Sequence, residues 1–340
     1  MVASHAAPTL LADLGGTNVR FAISYPDRER PMLEESIRRY HVADFGSLGE
    51  AAAEYLRDTG LEASRAIIAA AGRIVDNESV KITNNPWQIS SRELAAKLKL
   101  ESVHLVNDFA AQSMAVLLLQ PKDLVPVGPL ALPEPGQEEE QTFVIVGPGT
   151  GLGVGGLLLR PGGRSSILQT EGGHAGFAAH TAEDIEILRY LNVRFGRVSS
   201  ERLLSGQGLV NLYDAICAIQ GKKAEDLKPE DVTRLAETGA DALCEQALET
   251  FAGIFGSVSG DLVLGIGGWN GVYLTGGMIP ILLPWVQKGL FRQRFEAKGR
   301  FQETMAAVPT QAIMNPEPGL VGCAAMSVAE SGGKLMHRFD

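Results

Sequence analysis

Cysteine is scarce in this 340-residue chain: Cys217, Cys244 and Cys323 are the only three, odd in number and far apart. That spacing provides neither a disulfide framework nor a Cys-x-x-Cys metal knuckle. Positive charge is also short. Lys and Arg total 30 against 40 Asp and Glu, a net charge of −10 at pH 7. General nucleic-acid binding is therefore not expected, because a phosphate backbone is gripped by clustered Lys and Arg. A small anion stays open as a ligand, since backbone N–H groups can hold it without net positive charge. The N-terminus has neither the basic region nor the long apolar core of a signal peptide, so a cytoplasmic protein is expected. Residues 251–286 carry Asp261 as their only charge. Their glycines, with Pro280 and Pro284, predict a buried helix followed by a core strand rather than a membrane span. A G-x-x-x-x-G-K-[ST] phosphate loop is absent.

Glycine is present in excess, 39 of 340 residues, against a usual share of roughly 7 %. The glycines follow no three-residue period, which excludes collagen, and the 45 % hydrophobic content excludes a disordered chain. Strands over 9–14 and 19–24 flank the turn 15–18 and predict a hairpin. A strand near 37–42, a helix over 48–57 and a buried strand over 65–71 follow. Ser90 with Glu93 has capping-box spacing; a strand over 103–106 then runs into a helix over 109–119. Residues 121–141 hold five prolines and the run Glu138, Glu139, Glu140, the mark of a connection between domains. Beyond it, strand–Gly/Thr turn–strand recurs over 142–146, 147–151 and 153–160, about 134 positions after the first, a weak repeat suggesting two related domains. Helical patterns follow over 182–195, 209–219, 229–237 and 241–264, the last with one apolar face. The class expected is α/β.

The glycine turns carry the candidate chemistry. Gly151-x-Gly153-x-x-Gly156 with Glu171 imitates a dinucleotide fingerprint, but that motif needs a helix directly after its glycines. Here Leu157-Leu-Leu-Arg-Pro161 follows, which is strand-like and short. Exposed amides in such turns form anion-binding nests. Asp13 at a strand end beside Gly15, Gly16 and Thr17 reads either as a turn-stabilising acid or as a carboxylate holding Mg²⁺ near phosphates. Asp108 reads as a helix N-cap or a base. Taken singly, His174 reads as a satisfied polar residue or a metal ligand, and Glu201 as a first-turn helix acid.

Six motifs occur in order: Asp13-x-Gly-Gly-Thr-Asn18, Val106-Asn-Asp-Phe-x-Ala111, Gly147-Pro-Gly-Thr-Gly-Leu-Gly153, Glu171-Gly-Gly-His174, Glu201-x-x-x-Ser-Gly-x-Gly-Leu-Val-Asn-Leu-Tyr213 and Gly271-Val-Tyr-Leu-Thr-Gly-Gly277. Together they resemble the bacterial ATP-dependent glucokinases of the actin/hexokinase-like ATPase superfamily, from about residue 10 to about residue 325. The resemblance implies a two-domain ribonuclease H-like fold with a cleft between the domains. The smaller domain would be 1–120, completed by about 315–340, and the larger 121–314. It implies transfer of the γ-phosphoryl of ATP to the 6-hydroxyl of glucose, the first step of glycolysis, with Mg²⁺.

By position it makes Asp108 the catalytic base and also a glucose ligand, poised at the 6-hydroxyl. Asn107, Glu171, His174 and Glu201 become glucose ligands, with Asn84 a looser match. Ala12, Asp13, Leu14, Gly15, Gly16, Thr17 and Asn18 form the first phosphate loop, and Asp13 stands near the metal, reaching it through water in the family's pattern. Gly149, Thr150 and Gly151 belong to the second loop, and Gly276 and Gly277 lie beside the adenosine.

The residue chemistry agrees, because a hexose site needs carboxylates, amides and imidazole. A helix N-terminus at Asp108 leads to the expectation of a low-pKa base. Related sugar kinases and repressors carry a zinc cluster of cysteines after the Glu…Gly-His motif. This chain has no cysteine before Cys217, so no structural zinc is expected. Similar enzymes are often homodimers, and residues 278–285 fit an interface or a core equally. A non-catalytic glucose sensor and a kinase for another hexose are the alternatives.

Overall fold

The computed structural model describes residues 7–72, 74–75, 78–81, 87–130, 139–162, 164–333 and 335. Strands β1 (Thr9–Leu14) and β2 (Asn18–Ser24) form the expected hairpin, its turn closed by the Gly15 N–H donating to the Asn18 carbonyl at 3.0 Å. β3 (Arg38–His41) pairs antiparallel with β2. Helix α1 (Leu48–Thr59) then returns the chain so that β4 (Arg65–Ala70) lies parallel to β1. α1 is well bounded: Ser47 accepts from the Glu50 N–H, and Gly60 closes it with φ of 65°. A small sheet of β5 (Ile74–Val75), β6 (Ser79–Lys81) and β7 (Gln88–Ser90) comes next. It leads into α2 (Ser91–Leu98), capped by Ser90 on the Glu93 N–H at 3.3 Å. β8 (Ser102–Asn107), parallel to β4, completes a five-stranded sheet of order β3-β2-β1-β4-β8 and runs directly into α3 (Asp108–Ala115).

The second half begins with β9 (Leu124–Pro126) and the hairpin of β10 (Gln141–Pro148) and β11 (Leu152–Arg160), extended by β12 (Arg164–Gln169). Helices α4 (Ala182–Phe195), α5 (Gly206–Ile219), α6 (Pro229–Glu237) and α7 (Ala242–Ile266) precede β13 (Gly271–Leu274). Then come α8 (Ile279–Gln287), α9 (Leu290–Glu296), α10 (Gln302–Ala306), β14 (Thr310–Ile313) and α11 (Pro318–Glu330). The sheet order is β12-β11-β10-β13-β14-β9, with β10, β13 and β14 parallel and β11 and β12 antiparallel. Its first five strands repeat the order and directions of the first sheet. The glycine-turn repeat in the sequence thus marks a duplicated ribonuclease H-like unit, as the resemblance implied.

Both hairpins are buried on two faces, which explains their nearly continuous apolar sequence. Leu10, Ala12 and Leu14 of β1 face a core shared with α1 and α2, while Leu11 faces the other way. That second core lies between the two sheets. Leu11, Ile67 and Val106 from one sheet and Phe143, Ile145 and Tyr273 from the other enclose α3 and α11. These helices approach very closely: a Cβ on Gly322 would fall 1.7 Å from the Ala111 carbonyl oxygen. A third core packs α4 to α9 against the second sheet.

Helix α7 is long and apolar enough to cross a membrane by composition, yet 78 % of its most apolar stretch is buried in that core. With β13 after it, this is the predicted buried helix and core strand. Residues 278–285 fall on α8, whose Ile279, Leu282 and Trp285 are buried while Ile281 is exposed. Some boundaries differ from expectation. α3 ends at Ala115 because the chain tightens there, Leu117 N–H donating to Met114 at 3.1 Å. α5 starts at Gly206 because Ser205 caps the Gly208 N–H at 3.0 Å.

Candidate active site

Residues at the ends of β1 and β8 stand side by side because both strands run parallel in one sheet, with β4 between them. Asn107 ends β8 and caps α3: its Oδ1 accepts from the N–H groups of Phe109 at 2.9 Å and Ala110 at 3.2 Å. Asp108 opens the helix, and its Oδ1 accepts from the Phe109 N–H at 2.9 Å. The N-cap is therefore Asn107, which leaves Asp108 free of that duty.

Burial pushes the Asp108 carboxyl up to about 6, aided by the negative charges of Asp13 and Glu171, against the lowering effect of the Phe109 N–H. This corrects the expectation of a low-pKa acid. Loss of solvation on burial outweighs the helix N-terminus.

Asp13 lies opposite Arg20 across the first hairpin, with Arg20 Nη1 3.3 Å from Asp13 Oδ2. Burial raises the Asp13 pKa; Arg20 opposes the shift and Glu317 adds to it. Arg20 Nε also lies 2.7 Å from Glu317 Oε2. Charge holds that pair, since neither atom makes an aligned hydrogen bond. Glu317 Oε1 accepts from Arg39 at 3.2 Å. Gly319 stands against Asp13, where a Cβ would fall 2.6 Å from the carboxyl carbon. Of the predicted first loop, Ala12 and Leu14 are buried, and the Ala12 carbonyl accepts from the Cys323 thiol at 3.7 Å. Thr17 is exposed at the turn.

The second loop and residues 275–277 are pressed together. A Cβ on Gly147 would fall 1.8 Å from the Thr275 carbonyl oxygen, and one on Gly276, whose φ is +102°, 2.7 Å from that of Pro148. Thr150 and Gly277 are exposed at the surface of this junction. Glu201 joins the second glycine turn to His174, another residue predicted for the sugar. Its Oε2 accepts from the Leu152 N–H at 3.0 Å, and its Oε1 lies 3.8 Å from His174 Nδ1. Gly151 has no Cβ because Glu201 Oε2 would lie 2.4 Å from it. Glu171 precedes a short turn over Gly172–His174, close enough for its charge to act on Asp108.

The structure thus brings Asp13, Asn107, Asp108 and Glu171 together, and links Glu201 with His174 and Gly151. Gly149 belongs to the same loop, its carbonyl accepting from the Gly206 N–H at 2.9 Å. Asn84 lies outside the described residues.

Sequence reasoning missed Arg20, Glu317 and Phe109. Arg20 was legible in principle, as an isolated cation seven residues after Asp13 on the facing strand. Glu317 was not, because it reaches the site from the far end of the chain. Among the described residues no group of three His, Cys, Asp or Glu side chains is placed to hold a metal.

The sequence model of the family described as Glucokinase matches residues 10–330. A glucokinase of Stenotrophomonas maltophilia is 50 % identical over 326 residues, 95 % of this chain and 96 % of the relative. Among solved structures, a glucokinase from an Antarctic psychrotroph matches with a TM-score of 0.84 at 32 % identity, over 94 % of this chain and 98 % of that one. A glucokinase from Balamuthia mandrillaris in complex with glucose shares the fold, with a TM-score of 0.76 at 19 % identity over 97 % and 95 % of the two chains.

Proposed function

The chain belongs to the glucokinase family, and from that premise we propose how its residues carry out the family's reaction. It is an ATP-dependent hexose kinase that transfers the γ-phosphoryl of ATP to the 6-hydroxyl of D-glucose. The observation that carries the mechanism is the placement of Asp108: fixed at the β8–α3 junction, buried, and with its pKa raised to about 6. At neutral pH such a carboxylate is ionised, yet it takes a proton more readily than an ordinary one.

Asp108 accepts the proton of the 6-hydroxyl as that oxygen attacks phosphorus. Asn107, Glu171, His174 and Glu201 hydrogen-bond the other hydroxyls, so that a sugar lacking one leaves a polar group unpaired. The amides of Gly16 and Thr17 in one turn and of Thr150 and Gly151 in the other cradle the phosphates, while the Gly15 and Gly149 N–H groups close the turns themselves; Gly276 and Gly277 lie against the nucleoside. Phosphoryl transfer depends mainly on positioning and charge neutralisation, which these loops supply.

Asp13 fits a Mg²⁺ ion held mostly by phosphates and water: it is one carboxylate, with Oδ2 turned to Arg20 and Oδ1 free of a hydrogen-bond partner among the described residues. Such an ion neutralises phosphate charge when bound. The smaller unit, residues 1–120 with 315–340, closes over the sugar against 121–314 and excludes water. The enzyme works in the cytoplasm, as a homodimer.

A coupled assay of ADP release over a panel of hexoses tests the reading. ADP must appear only with a sugar present, fastest with glucose. Binding of glucose without turnover would identify a sensor instead.

A further inference from the structure

A cavity of about 370 Å³ is lined by none of the residues assigned above to sugar, phosphate or base. It sits where the chain passes from one half to the other and back. Its walls come from residues 30–37 between β2 and β3, 118–123 before β9, and 315–324 entering α11. Its volume is that of a small-molecule site.

The inner wall is apolar, formed by Leu118, Val321 and Ala324, with Met32 beside them. At the rim Arg30 and Lys122 are exposed, and among the described residues no side-chain hydrogen bond or ion pair engages either. The acids of the wall are mostly engaged. Asp123 accepts from the Gln120 N–H at 2.9 Å and from Asn315 Nδ2 at 3.2 Å. Glu317 faces Arg20 and Arg39. Glu34 alone is left against two unpaired cations.

We propose that this cavity is a second ligand site, taking a small organic anion. The ligand's apolar body lies on Leu118 and Val321, and its carboxylate or phosphate lies between Arg30 and Lys122. The occupant touches both crossings between the halves, which Asp123 and Asn315 already tie together. It also abuts Glu317, which holds Arg20 against Asp13. Binding therefore alters how the halves close and how Asp13 is presented. That consequence rests on the phosphotransfer mechanism proposed above; the binding itself does not.

The test is calorimetric titration of the protein saturated with glucose and ADP, so that the cleft is filled. The probes are phenyl phosphate, benzoate, inorganic phosphate and benzyl alcohol. Phenyl phosphate and benzoate bind once per chain, with Kd of about 1 mM or lower, an ordinary value for fragments of this size. Arg30→Glu with Lys122→Glu weakens both about tenfold or more. Met32→Trp, which narrows the cavity, removes binding while leaving thermal melting unchanged.

The assignment is overturned if neither anion binds saturably, or if both variants bind like the parent. Benzyl alcohol binding as tightly as phenyl phosphate would overturn the anionic character, and inorganic phosphate doing so would overturn the organic one. A shift of glucose KM with phenyl phosphate, lost in the double variant, tests the coupling. If the protein proved inactive on every hexose, the calorimetry would still decide the site.

Discussion

Phe109, the residue after the proposed base, fills the space in front of Gly153: a Cβ there would lie 1.8 Å from the ring. The helix that begins at Asp108 is thus seated on β11, the strand that leaves the proposed second phosphate loop. Any side chain at position 153 must push Phe109, and Asp108 with it. Gly153→Ala is expected to lower kcat about 100-fold, since displacements of about 1 Å have that effect. Phe109→Leu placed in the same protein should recover part of the rate by making room. Steady-state kinetics of the single and double variants check this, and a double variant no better than Gly153→Ala would refute it.

Asp108→Asn keeps an oxygen to accept from the Phe109 N–H but cannot take a proton. Turnover should fall by about 10²–10⁴, with glucose affinity by calorimetry near the parent's. The parent's rate should rise with pH through about 6, the value to which burial brings this acid.

The same shift carries a stability cost. A carboxyl whose pKa is about 6 when folded and roughly 3.9 when unfolded opposes folding once ionised. That penalty is absent below about pH 4 and complete above about pH 6. Asp108→Asn should therefore be more stable than the parent at pH 8, by about 1–3 kcal/mol, and the gain should shrink as pH falls towards 4. Denaturant melts at several pH values read this directly.

Arg20 separates two acids. Without it Asp13 and Glu317 face each other with only Arg39, on the far side of Glu317, to offset them, so Arg20→Met should cost about 2 kcal/mol at pH 8. The loss should diminish in acid as Asp13, whose pKa burial raises, takes a proton. It should also raise the KM for Mg²⁺-ATP more than that for glucose, because Asp13 and not the residues proposed to hold the sugar loses its partner. An equal rise in both would show a general disturbance instead.

Gly322 and Gly277 give a paired contrast. A Cβ at 322 would meet the Ala111 carbonyl at 1.7 Å, whereas one at 277 meets nothing within 4 Å. Gly322→Ala should force α3 and α11 apart and cost about 2–3 kcal/mol. Gly277→Ala should change stability by less than about 0.5 kcal/mol. Equal melting temperatures for the two variants would disprove the close helix contact.

Much of this was legible in the sequence because it is local. The hairpin turns at 15–18 and 147–151, a helix start at the end of β8 (though its cap is Asn107 and not Asp108), and the apolar face of 241–264 each depend on residues a few positions apart. Strand order was only partly legible. The repeat of turn motifs pointed to two related units, but the pairing of β14 with β13 and β9 joins residues far apart in sequence. β12 was hidden because its Arg164-Ser-Ser start lacks an apolar alternation.

The sequence by itself determined the residue types and their spacing: carboxylates at strand ends, glycines at turns and the acidic, cysteine-poor composition. Those follow from local sterics and hydrogen bonding, which neighbouring residues settle among themselves. Tertiary structure alone decided the electrostatics. Asp108 read as a low-pKa helix acid, but the fold buries it within range of Asp13 and Glu171, and desolvation then outweighs the helix N-terminus. It also decided that Glu317, three hundred positions from Asp13, would hold Arg20 against it, since only the packing of α11 on β1 and β2 makes them neighbours.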